Sequence, residues 1–141
     1  MRIFVDTNII ISAILFPKGK TSAVFSYIIE THEIIISTYT IKECESVFER
    51  KFPSKISALK IFLNELKYEL FSTPQNIDAR KYPAIRDVTD LPILVSAILS
   101  DADILLTGDK DFKDIKIEKP LVIAPDQYFE FIQKNINPEI N

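Results

Sequence analysis

A chain of 141 residues with 47% hydrophobic content holds enough apolar material for one well-packed domain, and is too short for two comfortable ones. Its 20 acidic and 17 basic residues give a formal charge of −3, which excludes a global positive field; a polyanion must be held by a local basic patch or through cations. Cys44 and His32 are the only cysteine and histidine, which excludes a disulfide framework, argues against a zinc site of His and Cys ligands, and fits the reducing cytoplasm.

The chain opens on M-R-I-F-V-D-T-N, Met1 to Asn8. Ile3, Phe4 and Val5 form an apolar run without alternation, as in a strand buried on both faces of a parallel sheet. Asp6, Thr7 and Asn8 are helix-capping residues, and the apolar stretch from Ile9 to Phe16 supplies the helix. No apolar run reaches the length that crosses a bilayer, and Asp6 interrupts the one N-terminal segment that imitates a signal peptide. Phe16 to Lys20 is a turn; Thr21 and Ser22 are expected to cap a second helix to about Glu30. Gly19-Lys20-Thr21 is no P-loop, because the position that needs the first glycine is Ile14.

Glu33 to Ser37 reads as a second strand, and Ser37 and Thr38 then open a helix through about Lys51 with Ile41, Cys44, Val47 and Phe48 on one stripe. His32 reads as a solvated cap residue and Cys44 as core. A helical period runs from Ser54 to Leu66, and Tyr68 to Phe71 is a short third strand. Ser72 to Val88 is polar, carries Pro74 and Pro83, and reads as irregular or briefly helical. A helix follows from near Asp90 to about Ser100, with Pro92 in its first turn. Ile104 to Thr107 and Leu121 to Ala124 are the last strands, then a helix from Asp126 to Lys134; the tail from Asn135 to Asn141 is expected to fray. Strands alternating with helices predict a three-layer α/β/α domain over residues 1–134, with a parallel sheet and right-handed crossovers.

In such a sheet, ligands gather at the carboxyl ends of the strands. Asp6 sits there, as do Asp109 and Asp111 in T-G-D-K-D-F; Asp101 and Asp103 precede their strand and fall at the other edge. Glu43 lies in the first turns of the helix after the second strand, with Glu45 a competitor that helical phase does not separate cleanly. Asp90 shares a phase with Leu94 and Ala97 and projects toward the sheet. Two unit charges 4 Å apart repel by roughly 4 kcal/mol at an effective dielectric near 20, so such a cluster calls for cations. An all-oxygen ligand set selects one or two Mg²⁺ or Mn²⁺ ions and suits phosphoryl-transfer chemistry.

Four pieces, I-F-V-D-T-N at Ile3–Asn8, Ser37–Glu43 leading into F-E-R-K-F, R-D-V-T-D at Arg86–Asp90 and L-L-T-G-D-K-D-F at Leu105–Phe112, carry a resemblance. In order and spacing the chain resembles the PIN-domain family of metal-dependent nucleases, especially VapC-like toxins of prokaryotic toxin–antitoxin modules. The resemblance implies a five-stranded sheet in the order 3-2-1-4-5 and an acidic quartet of Asp6, Glu43, Asp90 and Asp109 that is both catalytic and metal-binding. It implies Asn8 and Thr107 as supporting polar groups, Asp111 as an accessory acid, an RNA substrate, a cognate antitoxin and a homodimer. Val88-Thr89 stands where relatives often carry Pro-Asp, which leaves Asp87 a rival of Asp90; the family register also decides for Glu43 over Glu45.

The function expected is a metal-dependent endoribonuclease, and the competing expectation is a catalytically silent PIN-like module that binds RNA or protein. A phosphoacceptor receiver needs an aspartate ending the third strand and a lysine ending the fifth, and this chain offers neither. Lys18, Lys20 and Lys110, with Lys113 and Lys116 beyond, are candidate contacts to a substrate phosphate.

Overall fold

The computed structural model of the protein describes residues 1–136. Five strands, β1 (Arg2–Val5), β2 (Glu33–Ser37), β3 (Glu69–Phe71), β4 (Ile104–Leu106) and β5 (Leu121–Ile123), make one parallel sheet in the order 3-2-1-4-5. The helices are α1 (Thr7–Leu15), α2 (Lys20–Thr31), α3 (Thr38–Lys51), α4 (Ile56–Glu65), α5 (Leu91–Leu99) and α6 (Pro125–Ile136).

The unalternating apolar runs have their explanation in two cores. Ile3 and Val5 of β1, Ile34 and Ile36 of β2, and Ile104 and Leu106 of β4 face one core, which buried residues of α1, α2, α3, α4 and α6 complete. Phe4, Ile35 and Leu105 point the other way, into a smaller core closed by α5, Ala102 and Phe112. A strand with helices on both faces has no polar side to show. Each Ile or Phe so buried contributes about 1.5–3 kcal/mol against leaving it in water. The smaller core is covered partly by irregular backbone, with Ile77, Tyr82 and Ile85 packed against it. The proline-bearing segment after β3 thus serves as a lid on the second face.

Several boundaries differ from expectation. Helix α2 begins at Lys20, with Gly19 in the cap position and no side-chain bond capping it, so Thr21 and Ser22 lie inside the helix. The preceding turn decides this: Gly19 N–H donates to Phe16 O at 2.9 Å, and a Cβ at Gly19 would stand 3.1 Å from that oxygen. The turn closes early and launches the helix before the hydroxyl residues are reached. Helix α6 runs to Ile136, past the expected end, and the remainder of the expected frayed tail lies outside the described residues. His32 ends α2 as expected but is half-buried rather than solvated, 6.5 Å between ring centroids from Tyr128 and 3.2 Å from the Met1 amine.

At the amino edge of the sheet, Asp103 accepts from Arg2 N–H at 2.7 Å, and Lys119 pairs with both Asp101 and Asp103. These two acids are engaged away from the carboxyl edge, as their position before β4 predicts. No single helix among the described residues is long and apolar enough to cross a membrane.

Candidate metal centre

Strand β1 lies between β2 and β4, so the carboxyl ends of β1 and β4 flank the crevice where the chain changes direction across the sheet. Asp6 stands at that point. Its backbone N–H donates to Leu106 O at 3.0 Å, which extends the β1–β4 ladder by one bond and fixes the residue against β4. Its side chain is 5% exposed. Oδ1 accepts from Thr7 N–H at 2.7 Å, capping α1, and Oδ2 accepts from Thr107 Oγ1–H at 2.7 Å. Capping and site-building are therefore the same geometry: the cap holds one oxygen and leaves the group facing the strand ends.

Around Asp6 the other acids arrive from separate elements. Glu43, half-buried on α3, accepts from the Thr7 hydroxyl. Glu45 is exposed on the same helix. Asp109 follows β4; its N–H donates to Thr107 Oγ1 at 3.0 Å, and its Oδ1 accepts from Asp111 N–H at 2.9 Å. Asn8 joins this turn to α1, its Oδ1 accepting from Gly108 N–H at 3.3 Å. Asp90 ends a short 3-10 turn, Val88–Asp90, and is the cap residue of α5.

Asp87 caps that 3-10 turn by accepting from Thr89 N–H and Oγ1–H, at 2.9 and 2.8 Å. Among the described residues, Asp87, Asp90 and Asp111 offer oxygens that all lie within 4.8 Å of one another. Asp6, Glu43 and Asp109 adjoin this group, since Glu43 and Asp109 act on Asp6, and Asp6 and Asp109 act on Asp90.

The electrostatics record the crowding. Burial, foremost, pushes the Asp6 carboxyl up to about 6; the bonds from Thr107 and Thr7 oppose this, and the charges of Glu43 and Asp109 add to it. Asp90 is pushed up to about 7, first by burial, then by the charge of Asp109 and a hydrogen bond shared with it, then by Asp87 and Asp6. Without a cation, Asp6 and Asp90 are thus both held above the ordinary carboxylate range. Asp90 Oδ2 is buried with no hydrogen-bond partner. A buried carboxylate oxygen left bare costs several kcal/mol unless something positive meets it. An orphaned oxygen amid hard oxygen donors fits a divalent cation of the Mg²⁺ or Mn²⁺ kind; Asp87, Asp90 and Asp111 would bring oxygens to one ion, with Asp6, Glu43 and Asp109 adjoining them.

Two contributors escaped the sequence reading. Thr7 reads as a cap residue, yet its hydroxyl orients Glu43. Tyr39 opens α3 and donates its hydroxyl to Thr89 O at 3.2 Å, tying that helix to the Asp87–Asp90 turn. Its phenol is raised by burial and then by Glu43, Asp90, Asp6 and Asp87, which places it beside the cluster. The available signal was its spacing of four from Glu43, which puts both on one helix face.

Beside the acids a groove of about 920 Å³ extends over the ends of β4 and β5, with Lys20, Lys110 and Lys113 on its walls and Asn8, Thr107 and Asp109 where it meets the cluster. Lys18 and Lys116 are exposed and lie outside its walls.

Comparison with known proteins places the chain. A chain in the crystal structure of VapBC2 from Rickettsia felis bound to a DNA fragment from their promoter superposes with a TM-score of 0.66 at 21% identity, covering 88% of this chain and 98% of that one; it has the same fold. A comparison with curated proteins finds no match. The family model described as PIN domain matches residues 2–111, a span that takes in every carboxylate from Asp6 to Asp111. The chain belongs to the PIN-domain family.

Proposed function

We propose that this protein is a metal-dependent endoribonuclease, the toxin of a toxin–antitoxin pair, with residues 1–134 as its single nuclease domain. The observation that carries the reading is the bare, buried Oδ2 of Asp90 in a cluster whose acids burial and mutual repulsion hold partly protonated. Such a cluster is built for a positive occupant. A divalent cation bound there polarises a phosphodiester and lowers the pKa of a water that attacks it.

The protein's own groups set the frame for that chemistry. Thr7 N–H and Thr107 Oγ1–H fix the two oxygens of Asp6, and the Thr7 hydroxyl fixes Glu43. Asp109 is held by the turn it caps. Burial of Asp6 lowers the local dielectric and strengthens each charge interaction with a substrate phosphate.

A protein partner of the antitoxin type is supported by the fold this chain shares with a chain of the VapBC2 complex. The toxin reading carries with it a cytoplasmic site of action and a homodimer, both checked by expression and by light scattering.

The deciding experiment compares wild type and Asp6→Asn on a mixed RNA panel with Mg²⁺, Mn²⁺ or EDTA, after removal of any co-purified partner. Cleavage by wild type that EDTA abolishes, and that falls at least about 100-fold in the variant, is expected of a group at the reacting centre. Retained RNA affinity with no metal-dependent cleavage would move the assignment to a silent binding module.

A further inference from the structure

We infer that the groove beside the acids is a track for the backbone phosphates of single-stranded nucleic acid, holding the nucleotides on one side of the bond to be cut. The inference rests on the nuclease reading of the adjoining cluster and adds the direction in which the strand leaves it. Three observations carry it. The groove is continuous with the carboxylate cluster, because Asp109, Thr107 and Asn8 line both. Its walls bring together Lys20 from the start of α2 and Lys110 and Lys113 from the turn after β4, residues from separate parts of the sequence. All three are exposed, and among the described residues none of them enters an ion pair, whereas Lys119 on the opposite edge is taken up by Asp101 and Asp103.

The placement has an electrostatic logic. A strand entering a cluster of acids is repelled by them, and in a protein of net charge −3 nothing global offsets that repulsion. Ammonium groups beside the cluster offset it locally, and as flexible point charges they suit phosphates that differ in position from one sequence to the next. Asp126, in the first turn of α6, is also on the groove wall and keeps the strip from being uniformly basic, so the phosphates run along the lysine side.

Binding to a single strand depends on salt, with a slope in log K against log salt of about −0.7 for each phosphate neutralised. The test uses Asp6→Asn, which binds without cutting, in EDTA with KCl as the varied salt and a labelled single-stranded RNA. Adding Lys20→Ala and Lys113→Ala to it is expected to make the slope shallower by about 0.7 per lysine, on RNA and on a DNA strand of the same sequence alike. In the wild-type background the same pair is expected to raise KM for RNA cleavage at least about fivefold while kcat stays within twofold, since uniform binding is what is lost. Lys60→Ala, on the exposed face of α4, serves as the control. Slope and KM equal to those of the control overturn the track. Because the slope is read without turnover, it fails or stands independently of the nuclease assignment.

Discussion

Asp6 is asked to do two things that conflict at the level of one residue. It must be ionised to meet a cation, and it must be buried to sit at the switch point between β1 and β4. Burial raises its carboxyl from 3.8 to about 6, and at about 1.4 kcal/mol per pH unit this is about 3 kcal/mol set against the ionised form in the fold. Because the folded pKa lies above the unfolded one, the fold binds more protons between those values, and stability falls as pH rises through them. Asp6→Asn cannot ionise and escapes that loss. Without divalent cation the variant is therefore expected to be more stable than wild type by about 1–3 kcal/mol at pH 8 and no more stable at pH 4, measured by urea unfolding at both pH values. A variant less stable at pH 8 would show that the bonds from Thr7 and Thr107 outweigh the burial of charge. Asp6 and Asp109 stood out as candidates because each follows a strand end and Asp90 because it keeps a helix phase, whereas Glu43 was set apart from Glu45 by the family resemblance. Thr7 did not stand out, since a threonine behind a capping aspartate looks the same whether or not its hydroxyl reaches Glu43 on another helix. Gly108 carries no unusual backbone, and a Cβ there would meet only Asn8 Oδ1 at 3.9 Å; its smallness leaves room at the groove mouth.

At the scale of elements, what the sequence carried was type and order, and what it withheld was the detail that contacts between elements decide. The strands are short and apolar on both faces, so period-two alternation is absent and their run length with flanking helices identifies them. The start of α2 went the other way: Thr21 and Ser22 are good capping residues, and a tight turn closing on Phe16 O pre-empted them. The contact of α2 with α6 was invisible beforehand because it joins segments about a hundred residues apart. Tyr27 meets Tyr128 and Phe129 edge-on, at centroid distances of 6.1 and 6.0 Å. Tyr128 is fully buried, and its hydroxyl finds no hydrogen-bond partner. Burial accordingly drives its pKa up to about 12. An unpaired buried hydroxyl costs about 1–3 kcal/mol, while the ring supplies the packing. Tyr128→Phe keeps the ring and deletes the orphan, so it is expected to raise stability by about 1 kcal/mol, read as a higher urea midpoint at unchanged m value. A loss of stability would mean that the hydroxyl has a partner in solution.

At the scale of the whole molecule, folding is coupled to protonation of the acidic cluster. Asp6 and Asp90, raised to about 6 and about 7, both bind protons more tightly in the folded chain than in the unfolded one. Between about pH 4 and pH 7 the apo protein therefore loses stability as pH rises. His32 works in the opposite sense: burial, and then the N-terminal amine, lower its pKa, so folding favours its neutral form and its contribution grows with pH. His32→Gln removes that opposing contribution and should leave the decline steeper. A divalent cation takes the place of the protons and binds only where the carboxylates are gathered, so it stabilises the fold by about 2.7 kcal/mol at a concentration of 100 times Kd. Its benefit must grow as the protons leave. Thermal unfolding at pH 5, 6.5 and 8, each with Mg²⁺, Mn²⁺ or EDTA, is expected to show a cation-induced rise in Tm that is small at pH 5 and largest at pH 8, and that Asp6→Asn diminishes. A rise of the same size at pH 5 and pH 8 would place the ion on groups that titrate lower, such as Asp87, whose bonds from Thr89 hold it below the ordinary carboxylate range, and away from the Asp6–Asp90 core of the cluster.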